Sequence, residues 1–159
     1  MKRKDKGRLR TRWLELYERI PYELLLLADE TIEAINRYVM DSDIYVLERG
    51  GKLIAAYVLY ALNEHEVEIK NIAVDSAYQG RGIGRFLLQD AVTRAAERGY
   101  SSLLIGTAET AVKQLALYRK AGFSFHAVKK NFFTANYPDP IVEEGIPLRH
   151  MVMLRKKIK

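Results

Sequence analysis

The spacing of hydrophobic and polar residues changes several times along the chain, and each change predicts a new element. Residues 13–20 alternate between apolar and polar side chains, as a half-buried strand does, and Pro21 would end that strand. Apolar residues follow at helical spacing over residues 21–39, which predicts two short helices broken near Ala28 and Asp29. The first part of the chain is therefore expected to form a strand and a pair of helices.

Residues 43–63 have the pattern of a β-hairpin. Two runs rich in aromatic, aliphatic and β-branched residues are joined at Gly50 and Gly51, which tolerate the positive φ of a tight turn. The next run, residues 66–74, alternates at first and loses that alternation at Asn71. This change predicts a strand that begins half exposed and ends fully buried.

The second half of the chain alternates between predicted helices and strands. These are a helix over residues 85–99 closed by Gly99, a strand over 101–107, a helix over 111–122 closed by Gly122, a strand beginning at Phe123, and a strand over 150–156 after a polar, proline-containing loop. One face of the first helix carries Phe86, Leu87, Ala91, Ala95 and Ala96. Hairpins followed by this alternation predict a mixed α/β fold with helices on the faces of a central sheet.

Length and composition narrow the class of protein. At 159 residues the chain has the size of one domain, and we expect a single domain over residues 1–159. The sequence has neither a membrane-spanning apolar run nor a signal-type N-terminus, which predicts a soluble, cytoplasmic protein with no membrane partner. There is no cysteine, and the three histidines are scattered, so we expect no metal.

The formal charge of +6 is concentrated at the two ends. Residues 1–12 hold seven of the 26 Lys and Arg residues and residues 155–159 hold four, whereas the body between them has 15 basic and 19 acidic residues. We interpret both ends as solvated basic segments, the first as a tail or the lead-in to a strand. A nucleic-acid arm with steeply salt-dependent binding is the less favoured alternative, because no aromatic residue interleaves with the charges before Trp13.

Residues 78–88, YQGRGIGRFLL, place three glycines between a predicted buried strand and a predicted helix. A helix N-terminus presents free backbone N–H groups and a partial positive charge, and glycines let phosphate oxygens approach without meeting a Cβ atom. Arg81 and Arg85 add formal positive charge. The combination predicts a phosphate-binding turn.

Two common nucleotide motifs do not fit this turn. The dinucleotide fingerprint requires G-x-G-x-x-G, but its last position is Arg85 when the pattern starts at Gly80, and Leu87 when it starts at Gly82. The Walker A loop requires a lysine and a Ser or Thr after its last glycine, and neither follows here. Spacing excludes both motifs.

The turn resembles the acyl-CoA-binding motif of the GNAT superfamily of N-acetyltransferases, Q/R-x-x-G-x-G/A, with Gln79, Gly82 and Gly84 at the specified positions. Residues 115–123, LALYRKAGF, resemble the second signature of that family, a helix with a tyrosine four residues before Gly-Phe. The resemblance covers roughly residues 43–130. It implies a GNAT-like mixed sheet of about six to seven strands, splayed between strands 4 and 5, with acetyl-CoA as the co-substrate of an N-acetyltransferase.

The resemblance also implies roles for particular residues. Backbone amides of the glycine turn would bind the pyrophosphate of acetyl-CoA, the fourth strand would pair with its pantetheine arm, and Thr107 would lie beside its thioester. Tyr118 matches the tyrosine that protonates the departing CoA thiolate in many members, the alternative being a core aromatic residue. The implied cofactor-binding residues are Ile72, Ala73, Val74, Gln79, Gly80, Arg81, Gly82, Ile83, Gly84, Arg85, Thr107 and Tyr118.

Acetylation of an amine also needs a base, because an amine with a pKa of about 10.4 is protonated at neutral pH and lacks a lone pair for attack. Glu68 occupies the position where several family members carry a glutamate base, although its place in an alternating strand equally fits a solvated residue. A relayed water is an alternative, and Glu66 and His65 are weaker ones. His126 fits a sheet residue better than a base.

One departure from the family concerns the cofactor arm. Many relatives carry an asparagine seven residues before the tyrosine, where this sequence has Ala111. The nearest polar candidates for that contact are Glu109 and Gln114.

The resemblance does not identify the acceptor beyond the amine of a small molecule or peptide. In this family the N-terminal helices and the loop before the last strand select it. Here both segments carry acidic residues that would favour a cationic amine or are ordinary surface charge, namely Glu23, Asp29, Glu30, Asp139, Glu143 and Glu144. A homodimer is compatible with the sequence, and the alternative function is a non-catalytic module that holds acyl-CoA as a sensor.

Overall fold

The computed structural model describes residues 8–158, which form nine strands and five α-helices. The strands are β1 (Thr11–Trp13), β2 (Asp43–Arg49), β3 (Lys52–Ala61), β4 (Glu66–Val74), β5 (Ser102–Ala108), β6 (Ser124–Lys129), β7 (Val142–Glu143), β8 (Ile146–Pro147) and β9 (Met151–Lys157). The helices are α1 (Tyr22–Leu25), α2 (Ile32–Asn36), α3 (Ile83–Glu97), α4 (Val112–Lys120) and α5 (Phe132–Asn136). Over the same residues, no helix is long and apolar enough to cross a membrane.

Seven of the strands form one mixed sheet in the order β1-β2-β3-β4-β5-β9-β6. Only β4 and β5 are parallel neighbours, and every other pair in this sheet is antiparallel. The strands β7 and β8 form a separate two-stranded hairpin. The predicted mixed sheet of about six to seven strands is confirmed.

The turn between β2 and β3 confirms the predicted hairpin. Gly50 has φ 60° and Gly51 has φ 77°, so two successive residues occupy the left-handed region. Two positive φ angles match the right-handed twist of the paired strands, and glycine adopts them without a Cβ clash. The Gly-Gly pair therefore forms the tight turn that brings Arg49 opposite Lys52.

Helices cover both faces of the sheet, as predicted. Along β3 the side chains alternate, so that Ala55, Tyr57 and Leu59 join a core cluster with α3 and α4. Ala56 and Val58 join a second cluster with α1 and α2. Because successive strand residues point to opposite faces, the two clusters lie on opposite sides of the sheet.

The predicted burial of β4 is wrong, because the strand begins buried and ends half exposed. Its first half lies between β3 and β5, and pairing with β5 ends at Ile69 opposite Ile105. Against β3, Val58 faces Asn71 while Leu59 faces Ile69, so Lys70 is the extra residue of a β-bulge. A bulge bends a strand, and beyond it β4 diverges from β5, which confirms the predicted splay.

The strand predicted for residues 13–20 is also wrong, since β1 ends at Trp13. A turn follows, in which the Glu18 N–H donates to the Glu15 carbonyl oxygen (3.0 Å) and the Glu18 carboxylate accepts from the Glu15 N–H (2.7 Å). The same carboxylate accepts from Arg12 at 2.9 Å. Leu16 and Tyr17 in this turn are exposed, so the alternation of apolar and polar residues over residues 13–20 does not correspond to a buried face.

The region after α4 differs from the prediction as well. The predicted strand that begins near Phe123 ends at Lys129, and the aromatic residues that follow begin α5. Phe132 and Phe133 pack against each other and against Tyr137, with ring centroids 5.2–6.5 Å apart. Burial in this small aromatic cluster favours the helical turn over an extended strand.

The basic C-terminal end is not a solvated tail. β9 continues to Lys157, and the Lys156 ammonium donates to the Ala121 carbonyl oxygen at 2.8 Å. That bond satisfies a carbonyl at the end of α4 with a positive charge. Of the predicted N-terminal tail, residues 1–7 lie outside the described range, as does residue 159 at the other end.

A polar network joins β1, β3 and α3 around the Asp90 carboxylate. Its Oδ2 atom accepts from Thr11 Oγ1 (2.6 Å), Tyr57 Oη (2.6 Å) and Arg94 Nε (3.1 Å). The Arg94 guanidinium also lies 4.5 Å from the centroid of the Tyr45 ring. The network fixes α3, and therefore the turn that precedes it, against the sheet.

We expect Asp90→Ala to lower the free energy of unfolding by about 1–3 kcal/mol, because it leaves partly buried donors without an acceptor. Alanine has the highest helix propensity, so the helix itself is not weakened. Urea unfolding followed by circular dichroism measures the loss. The control is Gln89→Ala at the exposed neighbouring position of α3, which should leave stability unchanged; an equal loss in both variants would contradict the role of the network.

Candidate active site

A cleft opens where β4 and β5 diverge. Its volume is about 1370 Å³, and it passes from the glycine turn, between the two strands, to the face covered by α1 and α2. Ile72 and Val74 of β4 line it from the side that α3 and α4 cover. Ala73 faces the opposite cluster, and Thr107 lines the cleft from the end of β5.

The glycine turn forms one end of this cleft. Gly80 has φ 77° and Gly82 has φ 81°, and Gly82 is the N-cap residue of α3 without a side chain that could cap it. The first N–H groups of a helix have no intrahelical acceptor, so those of this first turn are available to a ligand. A Cβ atom built on Gly80, Gly82 or Gly84 meets no protein atom within 4 Å, so the space beside the backbone is open.

The side chains of the turn add positive charge and rigidity. Arg81 and Arg85 are exposed, and the Arg81 guanidinium lies 5.2 Å from the centroid of the Tyr78 ring. The Gln79 amide donates to the Val74 carbonyl oxygen at 3.0 Å, which ties the turn to the end of β4. Helix N-terminus, open glycine backbone and arginines together fit a phosphate-bearing ligand.

Tyr118 of α4 lies in the core and also lines the cleft. It is 6% exposed, and its ring centroid lies 6.4 Å from that of Phe123. Burial raises the pKa of Tyr118 to about 12, and the phenol is protonated at neutral pH, as it already is at the ordinary value of about 10. Packing explains the position of the ring, while the hydroxyl is in the protonated form that a proton donor needs.

Glu68 lines the cleft from the face covered by α1 and α2. It is only 4% exposed, so the interpretation of Glu68 as a solvated strand residue is wrong. The only cation paired with its carboxylate in residues 8–158 is Lys70, whose Nζ lies 3.5 Å from Oε1. A buried carboxylate with one partner keeps unused acceptor capacity.

A polar network that the sequence did not reveal forms the wall beside Glu68. The Asn71 amide donates to the Leu25 carbonyl oxygen (2.9 Å) and to Tyr38 Oη (3.1 Å), and Tyr38 donates to Asp29 (3.1 Å). Tyr137 donates to the other oxygen of Asp29. Burial raises the pKa of both tyrosines above the usual range, and the hydrogen bond to Asp29 acts in the same direction.

The structure separates the remaining candidates. Ala111 and Gln114 line the cleft, whereas Glu109 does not, so Gln114 is the one of the two polar candidates that the cleft contains. His65, Glu66 and His126 do not line the cleft that Glu68 and Tyr118 share. No group of three His, Asp or Glu side chains within residues 8–158 could hold a metal ion.

Comparison with known proteins agrees with the family resemblance of the two sequence motifs. The profile of the Acetyltransferase (GNAT) family matches residues 10–123. An uncharacterized N-acetyltransferase from Bacillus subtilis, YvbK, is 38% identical over 133 residues, which are 84% of this chain and 86% of the relative. The [ribosomal protein bS18]-alanine N-acetyltransferase of Escherichia coli is 30% identical over 89 residues, 56% of this chain and 60% of that enzyme.

A solved structure matches along almost the whole length. The crystal structure of a GNAT family acetyltransferase from Elizabethkingia anophelis with acetyl-CoA bound superposes with a TM-score of 0.92 at 39% identity. The match covers 95% of this chain and 99% of that one. The chain therefore belongs to the GNAT family and is an acetyl-CoA-dependent N-acetyltransferase.

Proposed function

We propose that this enzyme transfers the acetyl group to a primary amine by direct attack, with Tyr118 as general acid and Glu68 as general base. The observation that carries the proposal is that one cleft brings together the glycine turn, Tyr118 and Glu68. Tyr118 belongs to the core cluster under α3 and α4, and Glu68 lies on the opposite face of the sheet. The two groups thus approach the split from opposite sides, as entry of an amine and departure of a thiol require.

The cofactor-binding residues follow from the shape of the cleft. Backbone N–H groups over residues 79–85 would hold the pyrophosphate, with Arg81 and Arg85 adding charge. The backbone of residues 72–74, which has no β5 partner, would pair with the pantetheine arm, and Thr107 would lie beside the thioester. When bound, acetyl-CoA supplies a thioester whose acetyl group passes to the amine while CoA leaves as a thiol.

Tyr118 acts on the leaving-group side. A thiol has a pKa of about 8.5, so transfer of a proton from a phenol with a pKa of about 12 is uphill. The hydroxyl therefore stabilises the developing thiolate mainly by hydrogen bonding. This argument places its contribution at the lower end of the range for general acids, about 10²-fold.

Glu68 acts on the acceptor side. An acceptor amine arrives as an ammonium and must lose a proton before attack, and a buried carboxylate with free acceptor capacity can take that proton directly or through a water. The pairing of Glu68 with Lys70 shows that the site accommodates an ammonium next to this carboxylate. Geometry therefore favours Glu68 over the other candidate bases.

The acceptor is proposed to be a cationic amine of a small molecule or peptide. Asp29, Glu30, Glu143 and Glu144 line the acceptor side of the cleft, whereas Glu23 and Asp139 do not. Burial, and repulsion from Glu143 and Asp29, raise the pKa of Glu30, which indicates carboxylates close to one another. The E. coli relative is named for a ribosomal protein acceptor, so a peptide N-terminus belongs in the same test.

The function is tested by measuring CoA release from acetyl-CoA across polyamines, aminoglycosides, amino acids, lysine peptides and peptides with a free N-terminus. We expect at least one cationic class to accelerate release, because carboxylates line the acceptor side. Binding of acetyl-CoA alone should raise the melting temperature as the ligand excess grows. A shift in melting temperature without release by any class would leave a sensor in place of the proposed transfer.

The phosphate site is tested by comparing Gly82→Ala with Gly51→Ala. Both glycines have positive φ and open space around them, so both variants should lose about 1 kcal/mol of stability from backbone strain. Only the added Cβ at position 82 lies where the pyrophosphate is proposed to bind. Calorimetry should show at least about tenfold weaker acetyl-CoA binding for Gly82→Ala, as expected for losing charge-assisted hydrogen bonds; equal affinities would refute the site.

The proton-transfer roles are tested with Tyr118→Phe and Glu68→Gln in the presence of an active amine. Turnover should fall by about 10²-fold in Tyr118→Phe, which keeps the ring and its packing. Because the pKa of Tyr118 is raised to about 12, its deprotonation would lower the rate of the parent only near that pH. The plots of rate against pH for the parent and for Tyr118→Phe should therefore have the same shape between pH 6 and 10. Glu68→Gln should lower the rate, because the amide cannot accept the proton of the amine.

Controls for these two variants are Tyr17→Phe and Glu109→Gln, both exposed and outside the cleft lining. Both controls should keep parental turnover. Full activity in Tyr118→Phe would exclude it as the acid, and full activity in Glu68→Gln would assign the base role to another group. Loss of acetyl-CoA binding in either variant would show a structural role instead.

A further inference from the structure

Lys70 is placed unusually by the bulge of β4. As the extra residue it leaves the alternation of the strand, and its side chain lies on the face that α1 and α2 cover, beside Glu68 and Tyr60. The Lys70 Nζ atom lies 3.5 Å from Glu68 Oε1 and 5.4 Å from the centroid of the Tyr60 ring. Its side chain is 25% exposed and lines the cleft.

This ammonium meets the conditions that the proposed mechanism sets for an acceptor amine. The proposed mechanism requires an amine next to the Glu68 carboxylate, on the acceptor face and near the end of the β4–β5 pairing. Lys70 Nζ lies next to the Glu68 carboxylate, on the acceptor face of the sheet, and the Lys70 side chain lines the cleft. Its backbone lies two residues before Ile72, the first residue of the proposed pantetheine-binding segment, so the amine is tethered at the site rather than delivered by diffusion.

We propose that Lys70 is an acetylation site that the enzyme modifies in cis. The proposal rests on the proposed role of Glu68. Glu68 takes a proton from the Lys70 ammonium, and the free Nζ then attacks the thioester carbonyl carbon. A C–N bond forms and the C–S bond breaks; of the two protons that the nitrogen loses, one ends on the CoA sulfur and the other reaches solvent. The products are Nε-acetyl-Lys70 and CoA, and no further reactant is needed.

The proposed reaction requires a lysine that lines the cleft and that pairs with a carboxylate. Two other lysines meet one of these conditions each. Lys113 lines the same cleft but forms no ion pair with a carboxylate among residues 8–158. Lys52 pairs with Asp75 at 3.3 Å but lies outside the cleft lining. Each therefore reports the background reaction of acetyl-CoA with a lysine that meets only one condition.

The test incubates the full-length protein with acetyl-CoA labelled in the acetyl group, without an added amine. Intact mass and peptide mapping then follow each lysine with time. We expect one acetyl group per chain at Lys70, added about 10²-fold faster than at Lys113 or Lys52, the lower end of the acceleration that a positioned base supplies. The first-order rate constant should not depend on protein concentration, because the reaction is intramolecular.

Two variants connect the modification to the site. Lys70→Arg keeps a cation beside Glu68 but cannot be acetylated, so the single addition should disappear. Glu68→Gln should slow the acetylation of Lys70 by about 10²-fold, whereas Glu109→Gln should not change it. Equal rates in these two glutamate variants would overturn the proposal, because the carboxylate beside Lys70 would then have no part in the reaction.

Further outcomes separate this proposal from the proposed function. Lys70 modified no faster than Lys113 and Lys52, in a protein that acetylates an external amine, would overturn the self-modification alone. A rate constant that rises with protein concentration would overturn modification in cis. A protein that neither binds acetyl-CoA nor releases CoA would overturn both proposals.

Discussion

Parallel pairing of β4 with β5 ends after four residue pairs, and the position of each group in the cleft follows from that end point. Up to Ile69 the backbone N–H and C=O groups of the two strands form hydrogen bonds with each other. Beyond it the bulge at Lys70 bends β4 away, so that backbone groups of residues 72–74 lose their neighbour on one side. Backbone N–H and C=O groups need hydrogen-bond partners, and the open side of residues 72–74 is where we propose that the pantetheine arm supplies them.

The split also divides the chemistry between two faces of the sheet. The bulge puts Lys70 and Asn71 on the same face as Glu68, while Ile72 and Val74 return to the face with Tyr118. Burial acts on both sides: it raises the pKa of the Tyr118 phenol, and it removes most of the solvent from the Glu68 carboxylate, whose one cationic partner in the described chain is Lys70. Groups in such surroundings interact more strongly than in water, because little solvent screens them.

The acceptor side is held together by contacts between distant parts of the chain. Asp29, between α1 and α2, accepts from Tyr38 and from Tyr137, which lies just after α5. The Arg37 guanidinium donates to the Asn136 carbonyl oxygen at 2.8 Å across the same junction. Residues 21–30 and 136–150, which the family resemblance implies select the acceptor, are thus in direct contact through Asp29 and Tyr137.

Local features were predictable from the sequence because short-range chemistry decides them. Two glycines set the β2–β3 turn, Gly99 and Gly122 end their helices with positive φ, and the glycine turn precedes the α3 N-terminus. The mixed sheet followed from the order of these elements, and the family from the resemblance of residues 79–84 and 115–123 to its two motifs.

Burial and contact were decided only by the tertiary structure. Residues 13–20 alternate, yet only Trp13 is paired in a strand and a turn follows it, and β4 is buried first because β5 covers only its first half. The pairing of Glu68 with Lys70 depends on a bulge that exists only against β3. Tyr137 and Asp29 are 108 residues apart in the chain, and only folding brings them together. The periodicity of a sequence indicates which side chains are buried. The site, however, forms where a strand lacks a neighbouring strand, and the pairing of strands across the whole sheet determines where that is.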